Sequence, residues 1–316
     1  MIDFRSNQFK SSLSLVSSAV STLDLSTSSF SGTLSHFFCD RSDVPKNLQV
    51  LHLDNNFLVG EIPDCLLNWP NLDNNNLTGK IPSSIGDLLS LQSLHLRNNN
   101  LSGELHVSLQ NCKQLLLLDL GGNKFVGSIP IWFGQSLVVL SLRSNKFHGD
   151  IPDELCSLIN LRILDLAHNN LSGTITRCFQ HLSSMAIATS FELDNRSVGF
   201  GSPGIILFSA GDSYLEHFVE AYTENAVFVT KGREMEYTTM LGLVVGLDLA
   251  SNMLFGEIPQ ELTSLISLQT LNLSNYRLTG RIPSKIGDIG LCLPLQLNLI
   301  GYNNFFNFCT SNFQQL

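Results

Sequence analysis

Apolar residues recur along this chain in a fixed frame. Aligning it on itself brings together LQVLHLDNNFLVGEIP (48–63), LQSLHLRNNNLSGEL (91–105), LLLLDLGGNKFVGSIP (115–130), LVVLSLRSNKFHGDIP (137–152) and LRILDLAHNNLSGTI (161–175). The shared template is L-x-x-L-x-L-x-x-N-x-L/F-x-G-x-I-P. Its Asn falls at Asn56, Asn75, Asn99, Asn123, Asn145 and Asn169 and, after an interruption, at Asn252. Asn7 marks a weaker unit, and Ser28 and Tyr276 take the Asn position in two more, which makes ten units with a commonest spacing of 24 residues.

Each position has a physical task. Side chains alternate faces along a strand, so Leu51 and Leu53 turn inward while His52 and Asp54 turn outward. One short strand per unit follows, and stacked units pair these strands in parallel. The Asn at the strand end can satisfy backbone donors and acceptors where the chain turns away. Gly60, Gly103, Gly127, Gly149, Gly173, Gly256 and Gly280 suit a backbone that needs positive φ, and the Ile-Pro pairs keep the return leg extended. The predicted product is a curved α/β solenoid with a parallel sheet on its concave face.

Composition agrees with an array. The chain holds 56 Leu and 28 Asn, and charged residues are only 14%, against roughly 25% in ordinary globular chains. Its 18 Lys and Arg face 27 Asp and Glu, a formal charge of −9, which disfavours nucleic acid as a partner. No apolar run reaches the roughly 20 residues a membrane span needs.

The pattern resembles the plant-type extracellular leucine-rich repeat, and within it the plant receptor-like protein family. The matching text includes NNFLVGEIPDCLLNW (55–69), LSLRSNKFHGDIPDELCSL (140–158), LDLAHNNLSGTITRCF (164–179) and VTKGREMEY (229–237). The resemblance implies a right-handed superhelix, a place at the outer face of the plasma membrane, and no cofactor. It also implies recognition of an extracellular peptide, protein or glycan, with signalling in defence or development through partner kinases. Repeats after the interruption would help contact a co-receptor kinase. A soluble inhibitor of cell-wall-degrading enzymes such as polygalacturonase is the alternative, and a non-functional truncated product is a third reading.

Four segments follow: repeats over 1–182 (eight units), an island over 183–243, repeats over 244–288 (two units) and a divergent tail over 289–316. The island holds eight acids against three basic residues, with aromatics interleaved. It is read either as a ligand-recognition element, with Tyr222, Lys231, Arg233 and Tyr237 as candidates, or as a surface excursion packing on the solenoid. The start reads directly as repeat, without a secretory segment, and the tail segment IGLCLPLQLNL resembles the family's post-repeat motif joined early, so truncation is expected.

Cys39 and Cys65 have the same offsets from Ser28 and Asn56 as Cys156 and Cys178 have from Asn145 and Asn169. The repeated pair predicts two disulfides between neighbouring units and an oxidising compartment. Five N-x-S/T sequons, at Asn76, Asn100, Asn170, Asn195 and Asn272, point the same way. No metal-ligand spacing and no catalytic motif stands out. GFGSPG (199–204) matches G-x-G-x-x-G only formally, since a strand-like IILF follows it. On the concave face, Arg97 and Arg143 flank the bare Gly121 and, with His95, could hold an anionic peptide end. Alternatively Asp119 and Asp165, on the adjacent column, neutralise the arginines.

Overall fold

The computed structural model describes residues 2–8, 20–35, 39, 50–66, 70–186 and 244–289, and the backbone of six short strands elsewhere. The leucines of the template build the concave sheet. Ile2–Asp3, Thr22–Asp24 and Val50–His52 pair in parallel, and an isolated bridge joins His52 to Asn71. Ser93–His95, Leu117–Asp119, Val139–Ser141, Ile163–Asp165, Gly246–Asp248 and Thr270–Asn272 continue the ladder. Among the described residues ten units therefore line one face, and Leu295–Gln296 pairs in parallel beyond the last of them. Register aligns Leu94, Leu118, Leu140, Leu164, Leu247 and Leu271, each no more than 1% exposed. Burying one such side chain contributes about 2 kcal/mol, which no single unit could secure alone.

The template Asn binds each unit to the one before. Asn123 donates through Nδ2 to the carbonyls of Leu96, Leu120 and Gly121, and its Oδ1 accepts the Leu101 N–H. Leu96 and Leu101 belong to the preceding unit. Asn145 repeats the arrangement with Leu120 and Phe125, and Asn169 with Leu142 and Phe147. Where Ser28 stands in the Asn position, its hydroxyl donates to the Phe4 carbonyl. The residue just before this column is in the left-handed region throughout, at Ser6, Thr27, Asn55, Asn74, Asn98, Ser144, His168, Ser251 and Asn275, with Gly122 in the matching place. Asn, His and Gly favour this region, but Ser and Thr carry a steric cost there, so at Ser6, Thr27, Ser144 and Ser251 the fold sets the turn.

The glycines after the turn have the positive φ expected of them, from 79° at Gly280 to 95° at Gly127. The legs around them do more than stay extended. Ser31–Thr33, Phe57–Glu61 and Asn76–Thr78 form a second parallel sheet, continued in kind by Ser102–Gly103, Lys124–Gly127, Lys146–Gly149 and Asn170–Leu171, and by Phe255–Glu257 with Arg277–Thr279. Short 3-10 helices return on the convex side, as at Asp153–Ser157 and Gln260–Ser264. Pro152 and Pro259 precede these, fixing the extended approach. Where the sequence lacks Pro, His106 and Thr176 cap the first turn instead, accepting the N–H of Ser108 and Cys178.

Two disulfides join neighbouring units on this side. Cys39 pairs with Cys65 and Cys156 with Cys178, with Cα atoms 5.9 and 5.8 Å apart. Cys112 is a buried free thiol, pushed up by burial.

The solenoid closes beneath the island. Ile163, Leu164 and Asp165 pair directly with Gly246, Leu247 and Asp248. Asn252 reaches across the gap as the other Asn residues reach across an ordinary loop: it donates to the Leu166 carbonyl at 2.9 Å and accepts the Leu171 N–H at 3.0 Å. Substituting Asn252→Ala strands both groups at the junction and is expected to lower unfolding free energy by about 2–3 kcal/mol in urea titration. A change within about 0.5 kcal/mol, the range of neutral surface substitutions, would contradict that role.

Candidate ligand-recognition face

The outward positions of the concave strands form three columns, counted back from the template Asn. At six positions the column four residues before it carries acceptors of a single type of bond. Asp24, Asn71, Asp119, Asp165, Asp248 and Asn272 each accept through Oδ1 the backbone N–H two residues on, at 2.9–3.2 Å. This local bond fixes each side chain over the sheet. The recurrence of Asp or Asn at that offset was a readable signal, although Asp24, Asn71 and Asp248 were not singled out by the sequence reading.

The five concave candidates are neighbours, and they are buried. His95, Arg97, Asp119, Arg143 and Asp165 are 7, 4, 2, 9 and 1% exposed. Arg143 Nη1 lies 3.3 Å from Asp165 Oδ1 and 2.9 Å from Asp248 Oδ2, and Asp248 is fully buried. Arg97 Nη1 lies 4.0 Å from Asp119 Oδ2, and the Arg97 N–H donates to Asp73. His95 Nδ1 is 3.6 Å from Asp73 Oδ2. The arginines thus pair with carboxylates, Asp248 among them. Gly121 makes this possible: a Cβ there would sit 3.1 Å from Arg97 Nη1 and 3.1 Å from Asp119 Oδ1.

Charge states follow from this crowding. Burial raises the Asp119 carboxyl, aided by Asp73 and opposed by Arg97. Burial, then the facing Asp248, pushes Asp165 up to about 7. Burial works against the Arg143 charge, but Asp165 and Asp248 outweigh it and the value is raised. Beside these pairs runs an apolar stripe of Leu117, Val139, Ile163 and Val244, all at most 5% exposed. Val50, in the column of Leu117, Val139 and Ile163 near the other end, is 43% exposed. Accessible concave positions therefore gather in the early units, where the His52 side chain is 41% exposed.

Of the island candidates, Arg233 and Tyr237 lie on Arg233–Tyr237, which pairs antiparallel with Ala226–Thr230. Tyr222 and Lys231 lie outside the described residues, as does Asn195. Asn76 and Asn170 are exposed and Asn100 is half-buried, all along the second sheet. Asn272 corrects the sequon reading. It is 7% exposed, donates to Asp248 Oδ2 at 3.1 Å, and leaves no path for a glycan. Among the described residues no helix is long and apolar enough to cross a membrane.

Residues 47–69, 71–88, 90–112, 114–135, 136–158, 160–182 and 267–289 match the Leucine Rich Repeat family model. The fold and these matches define a leucine-rich-repeat protein. More narrowly, the chain belongs to the plant leucine-rich-repeat receptor-like proteins. It is 36% identical over 290 residues to Receptor-like protein EIX2 of Solanum lycopersicum, covering 86% of this chain and 26% of that protein. With Receptor-like protein 32 of Arabidopsis thaliana it shares 33% over 249 residues, or 77% of this chain and 26% of that one. The chain spans about a quarter of the length of these relatives. Among solved structures, the plant peptide hormone receptor RGFR1 in complex with RGF2 matches with TM-score 0.54 and 26% identity, covering 87% of this chain and 40% of that one.

Removing Arg143 leaves two buried carboxylates facing each other. Arg143→Leu is expected to destabilise by about 3–5 kcal/mol at pH 7, measured by urea unfolding. Exposed Lys146→Leu stays within about 0.5 kcal/mol. Equal effects at the two positions would exclude a structural role for the pair. Peptide mapping of chain secreted from plant cells is expected to find glycans at Asn76, Asn100 or Asn170 and none at Asn272; an occupied Asn272 in folded protein would contradict the packing.

Proposed function

We propose that the chain is a recognition segment of a cell-surface receptor-like protein that binds an extracellular peptide, protein or glycan and signals through partner receptor kinases. The observation that carries this reading is the parallel, strand-lined concave face, shared with a receptor whose structure holds the peptide RGF2. His95, Arg97, Asp119, Arg143 and Asp165 set the shape and charge of that face from beneath, and Val50 and His52 give the ligand an accessible edge. Arg233 and Tyr237 of the island add contacts. In the first unit after the island, Met253 and Phe255 are 59 and 54% exposed. They offer an apolar contact to a co-receptor kinase, since well-packed aromatic anchors dominate such interfaces.

The test titrates the secreted chain with a panel of synthetic plant extracellular peptides and with purified co-receptor ectodomains. One saturable peptide is expected, weakened at least about tenfold, or 1.4 kcal/mol, in a Val50→Glu, His52→Ala double variant. Phe255→Asp is expected to abolish ectodomain capture while leaving peptide binding intact. Full binding by both folded variants would reject these contacts.

A further inference from the structure

The island interrupts the chain at one joint, and that joint holds two facing acids. Asp165 lies on the last concave strand before the island and Asp248 on the first strand after it, paired residue to residue. They are 1 and 0% exposed. A single guanidinium nitrogen, Arg143 Nη1, serves both, at 3.3 and 2.9 Å. Two carboxylates and one cation leave one surplus negative charge out of water, which a low-dielectric site disfavours.

The donor set decides where a proton resolves this. Asp248 accepts from Arg143, from the Ala250 N–H at 3.0 Å and from the Asn272 amide at 3.1 Å. Among the described residues Asp165 has two donors only, Arg143 Nη1 at 3.3 Å from each of its oxygens and the Ala167 N–H at 3.1 Å. Asp165, with the fewer and longer contacts, is thus the member of the pair that takes the proton. The other charged or titratable groups that bear on the pair are Asp119 on the far side of Val139–Ser141, and His168 and Tyr276 at the turns. His168 is held below its ordinary value by burial and by Arg143, so it does not supply the missing charge.

We propose that Asp165 and Asp248 form a proton-dependent clamp across the neck of the island, so that the two units after it stack firmly on the eight before it in acid and loosen as pH rises to neutrality. The sign follows from linkage. Stacked, Asp165 is pushed up to about 7 from an ordinary 3.8. A raised carboxyl contributes stability that is complete below its unfolded value and is lost as pH climbs to the folded one. The stacking equilibrium therefore falls by close to tenfold per pH unit across that window. The clamp couples compartment acidity to how the island is held, independently of which ligand the protein binds.

The test uses the full chain and two variants. Asn is accommodated in this column, because Asn71 and Asn272 accept the same N–H that Asp165 and Asp248 accept. Asp165→Asn and Asp248→Asn therefore retain the local bond while removing the surplus charge. Thermal unfolding of wild-type protein is expected to show a midpoint that drops between pH 5 and 7.5, and both variants a visibly flatter profile. Parallel profiles for wild type and both variants would overturn the clamp. Hydrogen exchange on wild-type protein supplies a readout that does not depend on a variant folding. Protection of Gly246–Asp248, relative to Ser93–His95, should decline more than tenfold from pH 5 to 7.5 after correction for intrinsic exchange. A constant ratio would equally overturn it.

Discussion

A strand of three residues cannot stand alone, and the structure depends on how each unit's unpaired backbone is satisfied at the turn that ends it. The template Asn does this by reaching back: its amide donates to the carbonyl of the previous unit's strand and accepts an N–H from the previous unit's return leg. Buried backbone groups must be paired, so the side chain of one unit completes the hydrogen bonding of another. Cohesion is therefore between neighbours in space and indifferent to their distance along the chain. Asn252 shows this most plainly, binding Leu166 from 86 residues away with the geometry that Asn123 uses from 27. An island can then be inserted without interrupting the sheet.

The same logic explains which parts were legible in the sequence. The unit frame, the inward leucines, the glycines of positive φ and the two cysteine pairs all depend on local spacing, and spacing is visible. The second sheet was not, because its pairing joins legs whose side chains are mixed and short, such as Ser102–Gly103 beside Lys124–Gly127. Residue preference marks the left-handed turn before the Asn column only in part: Asn55, Asn74, Asn98 and Asn275 favour it, while Ser6, Ser144 and Ser251 adopt it under tertiary constraint.

The concave face was half legible. Reading Arg97 and Arg143 as outward was correct in direction, and the choice between ligand and carboxylate turned on burial, which one sequence does not display. Asp248, the nearest partner of Arg143, lies 105 residues away and across the island. Asn272 failed for the same reason: a sequon is a local motif, while its amide is committed to an acid on the neighbouring strand. The result is a face whose middle arginines are paired with carboxylates and whose accessible positions lie towards Val50 and His52 and, on the flanking sheet, at Met253 and Phe255. These are the positions that cohesion leaves over.

Cleaving the chain within the island tests the central claim most directly. Both described disulfides lie before residue 187, so neither links the two halves. If contacts between units and not chain continuity hold the solenoid together, limited proteolysis between residues 187 and 243 leaves two fragments that co-elute as one particle and separate only in denaturant. Dissociation of the fragments under native conditions would contradict the account.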